Sequence, residues 1–437
     1  MRKDFSGFSD RNKNEGPVEV TGKNEGWFTR FLNLRTFASL KNPTYRLYWG
    51  ALVCQMASMN MQLLARSLLV YRLTGSAAIL GAMSLAHAVP LLVFSLYGGV
   101  IADRIQKKYV MLIGQAGSAI VSLGVALSLM LGYLSTENEG SWWILVVASV
   151  FQGTIMGLMM PSRQAVLPEI VSQEQLMNAL SLSNMGSNVI RLLAPAAAGF
   201  LIDAFDFQAV YFTMTGLYSL AVLFVSLLPL TGTVTLRKNS ALTDIKEGLR
   251  YLRHQKTIVF ILLFTLVAVV LSMPYLMLMP IFTEDILMVG AGGMGILLSV
   301  SGVGAIAGSL VLASLPNKRR GMMLIFSGIL MGIALAGFAF STSWPLSLGI
   351  IVIVGLAQAG RMTLSNTLIQ YYVENEYRGR VMSIYMMEFG LTSFGTFAAG
   401  VMAEAWGVQW VVGGFAMTLA VVSLIVFLFV GRIRKLD

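Results

Sequence analysis

The sequence predicts an all-α integral membrane protein with twelve transmembrane helices, and three observations carry that expectation. Of its 437 residues, 56% are hydrophobic and only 12% are charged, about half the charged share of an ordinary soluble protein. Apolar stretches of about 20 residues, long enough to cross a bilayer, recur along nearly the whole chain with short loops between them. The basic residues fall on alternate loops, as they do when one side of a membrane collects them. A soluble globular protein is excluded, because water is not the main solvent of such a chain.

The elements follow in order. Residues 1–26 mix Arg, Lys, Asp, Glu, Asn and Gly with few apolar groups, too few to offset ordering, so a disordered cytoplasmic segment is expected. It lacks the apolar core of a cleaved signal peptide. In WFTRFLNLRTFASL, aromatic and leucine residues interleave with Arg30 and Arg35, which predicts an amphipathic helix over 27–45 lying on the inner membrane surface. Six apolar segments, in 47–72, 77–101, 109–132, 142–163, 177–202 and 208–229, make a first bundle over 46–229. In the polar stretch 230–256, Leu242, Ile245, Leu249 and Leu252 recur at helical spacing among Asp244, Lys246, Glu247, Arg250 and Arg253. That pattern predicts an amphipathic cytoplasmic helix joining two halves. Six further segments, in 257–283, 289–314, 321–341, 345–370, 380–403 and 408–430, make a second bundle over 257–431, and 432–437 is a cytoplasmic tail.

Orientation follows from charge. Placing the amino terminus inside collects Arg104, Lys107, Lys108, Arg163, Lys318, Arg319, Arg320, Arg378 and Arg380 on the cytoplasmic side. The opposite loops hold Arg72 beside Glu137, Asp203, Asp206, Glu284, Asp285 and Glu404. Both termini are then cytoplasmic, and the net charge of +10 is explained without nucleic acid. Cys54 is the single cysteine, which excludes an internal disulfide and a cysteine metal site, and His87 and His254 are too few for a histidine cluster. No G-x-x-x-x-G-K-[ST] phosphate loop, G-x-S-x-G or H-E-x-x-H occurs, so neither ATP hydrolysis nor an enzyme is expected. No cofactor is expected either, and a proton gradient is the expected energy source.

The halves repeat each other weakly. PSRQAVLPEIVSQEQLMNALSL lies between spans four and five, and about 200 residues later LSNTLIQYYVENEYRGRVMSIY lies between spans ten and eleven. RIQKKYVMLI after span two has its counterpart in NKRRGMMLI after span eight. A parallel six-plus-six repeat with a long link is the layout of the major facilitator fold, whose substrate site lies near the midplane between halves.

The segment Gly99-Val-Ile-Ala-Asp103-Arg104-Ile-Gln-Lys107-Lys108 resembles the loop motif of major facilitator transporters. FASLKNPTYRLYWG, LLVYRLTGSAAILGAMSLAHAVPLLVFSLYGGVIADR, the PSRQAVLPE run and Ala194-Pro195 with Gly199 together resemble the exporter branch that includes enterobactin-type siderophore exporters and macrolide efflux proteins, over about residues 36–430. Gln106 replaces the motif's second glycine, and Lys107 and Lys108 replace its arginines, which keeps charge but not bidentate pairing. Ser149 stands where a fourth-span motif of related drug antiporters has an arginine implicated in proton coupling. The fifth-span motif persists in part, as Pro195 and Gly199 with alanine at 194 and 198. The resemblance implies a plasma (cytoplasmic or inner) membrane transporter, and it alone implies the export direction.

Physically, the loop motif makes sense as a conformational latch. Asp103, at the cytoplasmic end of span two, is placed to meet the positive end of span eleven near Arg378 and Arg380, a contact worth about 0.3–1 kcal/mol exposed and up to about 2 kcal/mol partly buried. The other reading is that Arg104, Lys107 and Lys108 anchor the chain to anionic lipid and fix its topology.

Ionisable residues inside a span cost at least about 2.5–3.5 kcal/mol each, so they persist with partners or a function. Arg66 lies in span one, His87 in two, Arg191 in five, Arg361 in ten and Glu388 in eleven; spans three, six, nine and twelve, the outer helices of the fold, hold none. Arg361 and Glu388 lie roughly nine and eight residues from the inner ends of their spans and so share a depth. They are placed to pair, either as a proton or substrate coupling element or as a static lock. Arg191 lies near the midplane with Asn188 on the same helix face, as an anion-attracting cavity group or with a structural partner. Arg66 is nearer the outer surface, where it is able to snorkel, and a lone histidine such as His87 is more often hydrogen-bonded and inert. Three arginines against one acid suggest an anionic substrate or a metal-free chelator. Methionines on spans four and seven, among them Met156, Met159, Met273 and Met277, suit either a re-packable pocket or plain lipid contact. Gly153/Gly157, Gly304/Gly308 and Gly328/Gly332 allow close helix approach, and Pro90, Pro195 and Pro274 are expected to kink their spans.

The function expected is a secondary active transporter that exports an amphipathic small molecule, a drug or siderophore, by proton-coupled alternating access. Its partners are that small molecule, anionic or amphipathic, together with protons and membrane lipid, and the chain is expected to act as a monomer. The alternatives are an importer or lipid flippase of the same fold, a non-transporting membrane scaffold, or the permease half of an ATP-driven complex.

Overall fold

The computed structural model describes residues 39–138, 140–230, 241–316, 318–434 and 436. The expected segment 1–26, most of the interfacial helix 27–45 and residues 231–240 of the linker lie outside the described residues. Among those described, every regular element is helical. Helix α1 (Pro43–Thr74) starts where the Asn42 side chain accepts from the Thr44 and Tyr45 N–H groups with proline in the first turn. It stops at Gly75, whose φ of 62° suits glycine. Helix α2 (Ala77–Arg104) starts from the Ser76 hydroxyl, which accepts from Ile79 N.

Helices α3 (Lys107–Met130) and α4 (Trp143–Ile170) follow. The helical run Gln173–Ser226 is divided at Asp206, which has φ 68° and ψ 175°, into α5 (173–205) and α6 (207–226). The linker carries α7 (Ala241–Leu252), as its leucine spacing predicts. The second half comprises α8 (Lys256–Ser272), α9 (Gly290–Ser314), α10 (Arg320–Ala339), α11 (Trp344–Tyr372), α12 (Arg378–Met386), α13 (Glu388–Trp406), α14 (Val408–Phe429) and a last turn, Gly431–Arg434. Nine helices among the described residues are long and apolar enough to cross a membrane, the divided run being one of them. Helix α1, diluted by Gln55, Asn60, Gln62 and Arg66, and the interrupted pair α12–α13 are not recognised by length and hydropathy.

Span seven is broken as Pro274 leads one to expect. After α8 it continues as the turns Pro274–Met277 and Met279–Ile281 and a π-turn, Phe282–Ile286, because Pro274 and Pro280 supply no N–H. Pro90 and Pro195 sit inside helices α2 and α5. Close helix approach has the expected cause. A Cβ on Gly153 or Gly157 would meet the His87 or Leu91 carbonyl of α2, and one on Gly304 or Gly308 the Val352 or Leu356 carbonyl of α11.

The helix ends define two faces, a basic one holding Arg104, Lys107, Arg320 and Arg378 and an acidic one holding Asp203, Glu284, Asp285 and Glu404. The cores differ between them. Toward the acidic face one buried apolar cluster runs through both halves, joining Leu68, Leu80 and Ala198 to Tyr275, Met294 and Ala399. Toward the basic face there are two, one of first-half residues including Tyr45, Met159 and Leu182, the other of second-half residues including Ile258, Leu368 and Val381. Among the described residues, the buried core thus joins the halves at the acidic face and is divided between them at the basic one.

Candidate functional site

The acidic-face seal is built from carboxylates that cross between halves. Glu404, near the end of α13, accepts from the Ser76 hydroxyl at 3.0 Å and the Ala78 N–H at 3.1 Å, at the start of α2. Asp203, near the end of α5, accepts from the Gly292 N–H at 2.8 Å, at the start of α9. Each half therefore places a carboxylate on a helix N-terminus of the other, where free N–H groups and the helix dipole favour an anion. The repeat explains why there are two such contacts, related by the exchange of halves. Between them, Arg72 pairs with Glu284 at 2.9 Å and the Tyr71 hydroxyl donates to Asp285. Sequence reading used these acids only to orient the chain, since their partners lie at least 89 positions away.

Below the seal, one stripe of α5 changes its surroundings. Asn184, Asn188, Arg191, Pro195 and Gly199 recur every three or four residues and so share a face. At Pro195 and Gly199 that face lies against Gly295 and Ala291 of α9. At Arg191, Asn188 and Asn184 it is exposed, so these polar groups are aimed into the gap between the halves. Arg191 is close enough to the buried Tyr275, in the broken part of span seven, to act on it electrostatically. Helices α2 and α13 pack closely from Ala77 against Gly400 to Leu92 against Gly390, and Tyr97, further toward the basic face, is 60% exposed.

Arg361 and Glu388 do pair. Nη1 donates to Oε1 at 3.0 Å, with the two residues only 5% and 7% exposed. Glu388 follows Met387, which keeps helical φ and ψ of −63° and −20°, so the carboxylate lies where α12 runs into α13. The Thr265 hydroxyl of α8 lies against the same carboxylate. Arg361 Nε has no partner, so the contact is a single hydrogen bond rather than a fork.

Arg66 departs from expectation. Rather than snorkelling outward it is buried, 8% exposed, and Nη1 donates to the Ser149 hydroxyl at 3.4 Å. The position where the resembled motif carries an arginine thus receives a guanidinium from α1 instead. His87 lies near Ser149 and Arg66, while Arg66 Nε and His87 Nδ1 are without partners. Equal depth in neighbouring spans was the signal by which the sequence could have shown this cluster.

At the basic face, Lys107 pairs with Glu169 at 2.6 Å, and Lys108 donates to the Leu228 carbonyl at 2.6 Å, both within the first half. Arg378 opens α12 and is exposed. Arg380 pairs with Glu247 of the linker helix at 2.7 Å and lies over the Tyr377 ring. Gly99 and Arg104 fall in the last turns of α2. The Asp103 side chain lies outside the described residues, and with it the expected contact to span eleven.

A membrane-embedded two-half bundle, sealed at one face and lined with ionic groups, has clear relatives. Residues 34–437 match the transmembrane secretion effector family of major facilitator transporters. The chain belongs to this family. Its members are transporters rather than enzymes. Secretion effector relatives include the staphyloferrin A transporter of Staphylococcus aureus, 25% identical over 363 residues, covering 83% of this chain and 89% of that one. Macrolide efflux protein A of Streptococcus pyogenes is 25% identical over 420 residues, covering 92% and 100%. Among solved structures, a bacterial homolog of the human lysosomal transporter Spinster, in an inward-facing and occupied conformation, superposes with TM-score 0.69 at 13% identity, covering 90% of this chain and 97% of that one. The secretion effector chain is therefore an integral membrane transporter with the major facilitator fold, and its relatives include macrolide and multidrug efflux proteins and an enterobactin exporter.

Proposed function

We propose that the protein exports an amphipathic small molecule, a drug or siderophore, from the cytoplasm by proton-coupled alternating access, as a monomer in the plasma membrane with both termini cytoplasmic. The basic face is then the inner one, and the structure is the inward-open state. The names of the relatives support the substrate class, and Arg191 and Asn188 at the apex of the gap suit a ligand with anionic or hydrogen-bonding groups.

The observation that carries the reading is the buried Arg361–Glu388 pair. Two opposite charges out of water are tolerable only while each neutralises the other. A proton arriving on Glu388 frees Arg361, which then needs a new anionic or hydrogen-bonding partner or a change of surroundings. That exchange is the kind of event that ties proton binding to a change of access. No cofactor takes part; the proton gradient supplies the energy.

The test is export by expressing cells across a panel of antibiotics and chelated-iron carriers, with and without a protonophore, followed by reconstitution of the substrate found. Gradient-dependent transport by the wild type and none by Glu388→Gln supports the reading. Transport that is lost on ATP depletion at a constant proton gradient, or an undiminished gradient response in Glu388→Gln, overturns it.

A further inference from the structure

Away from the gap between halves, at the basic face, a cavity of about 570 Å³ opens between α9 and α10. Its walls include Val311, Leu315, Met323, Leu330, Leu356 and Phe427. Helix α9 packs on α11, and α10 packs on α11 and α14, so the cavity is a crevice between two helices that are each anchored elsewhere. The hydroxyl of Ser327, also in the lining, donates to the Met323 carbonyl of its own helix at 2.9 Å. The crevice thus presents carbon and sulfur, which suits a hydrocarbon chain and gives a polar drug nothing to bond.

Its mouth is cationic. Arg320 begins α10 immediately before crevice residues Met322 and Met323, and Lys318 lies three residues after Leu315. From the carboxyl-terminal tail, Arg434 sits over the Phe427 ring at 5.7 Å and donates to its carbonyl at 3.5 Å. The tail is held there by the Gly321 N–H donating to the Leu436 carbonyl at 3.1 Å. The positive end of α10 points to the same place.

We propose that this crevice binds one acyl chain of an anionic phospholipid from the surrounding leaflet, with the headgroup phosphate held by Lys318, Arg320 and Arg434. Moving a chain from lipid into an apolar crevice changes little, because lipid tails are as apolar as leucine. Selectivity therefore comes from the cations, each worth about a five-fold preference for an anionic headgroup, which is about 1 kcal/mol.

The experiment is native mass spectrometry of the purified full chain in detergent, titrated with phosphatidylglycerol or phosphatidylcholine of the same chains. The wild type is expected to retain one phosphatidylglycerol in preference to phosphatidylcholine. The double variant Lys318→Gln, Arg320→Gln should lose about 25-fold of that preference, and Leu330→Trp, which fills the crevice, should lose the bound lipid of either kind. Should Leu330→Trp fail to fold, Val311→Trp on the opposite wall serves the same purpose. Retention of the preference by the charge variant, retention of lipid by both tryptophan variants, or displacement of the lipid by a transported drug would each overturn the proposal.

Discussion

Replacing Glu388 by glutamine separates two roles for the Arg361–Glu388 pair. Removing one partner of a buried ion pair typically costs about 3–5 kcal/mol, because the other charge is left uncompensated. Here Arg361 is 5% exposed and has an unpartnered Nε, and the pair rests on one hydrogen bond of 3.0 Å. A single, non-forked contact places Glu388→Gln near the lower end, about 3 kcal/mol. Adding Arg361→Met removes the stranded guanidinium and should return stability to within about 1 kcal/mol of wild type, since buried pairs replaced by apolar groups are often neutral. Thermal unfolding of the detergent-solubilised single and double variants measures the order, and proteoliposome uptake with and without an imposed pH gradient measures coupling. The double variant is expected to be stable and uncoupled. A double variant that recovers both stability and gradient-driven transport would show the pair to be a static lock and refute the coupling argument.

Three other outcomes follow from the geometry. Gly295→Ala places a Cβ against the Pro195 carbonyl at the acidic-face seal, costing the sealed state about 1–3 kcal/mol while favouring the helix itself by about 1 kcal/mol. Distance measurements between spin labels on α5 and α9 should show the acidic ends parting, and unchanged distances would contradict the seal. Glu404→Gln removes the carboxylate from the start of α2, a loss of about 0.3–1 kcal/mol. It should shift the same equilibrium by about five-fold at most, with the free-energy effect doubled, and so the fold-shift squared, when combined with Asp203→Asn; non-additive behaviour would show the two contacts are not equivalent. Arg66→Met removes a buried charge without a carboxylate partner among the described residues, so its unfolding temperature should stay within a few degrees of wild type while transport falls. A severely destabilised Arg66→Met would assign Arg66 to structure.

Much of this architecture is legible in the sequence because a bilayer imposes period and length on each segment separately. The two charged faces, the linker helix and the Arg361–Glu388 pairing all follow from counting residues along single helices. The seal does not. Asp203 and Glu404 read as loop acids until the two halves are docked and each meets a helix start in the other. Arg66 is misjudged for a related reason. Counting from Thr74 places it within snorkelling reach of the surface, but the count says nothing of the face it occupies, and Ser149 of α4 offers a hydroxyl inward. Pro195 also forms a contact that the sequence does not signal, since its carbonyl meets Gly295 of α9.

Exchange of access between two faces is the claim on which the rest depends, and reciprocal labelling tests it most directly. In a background lacking Cys54, Asn188→Cys and Ala78→Cys are treated with a membrane-impermeant thiol reagent on each side, before and after substrate and a proton gradient are applied. The geometry predicts that position 188 reacts from the basic face at rest and becomes protected when turnover begins, while position 78 becomes reactive from the acidic face. If both positions keep their reactivity, or change in the same direction, the two faces do not alternate and the account is wrong.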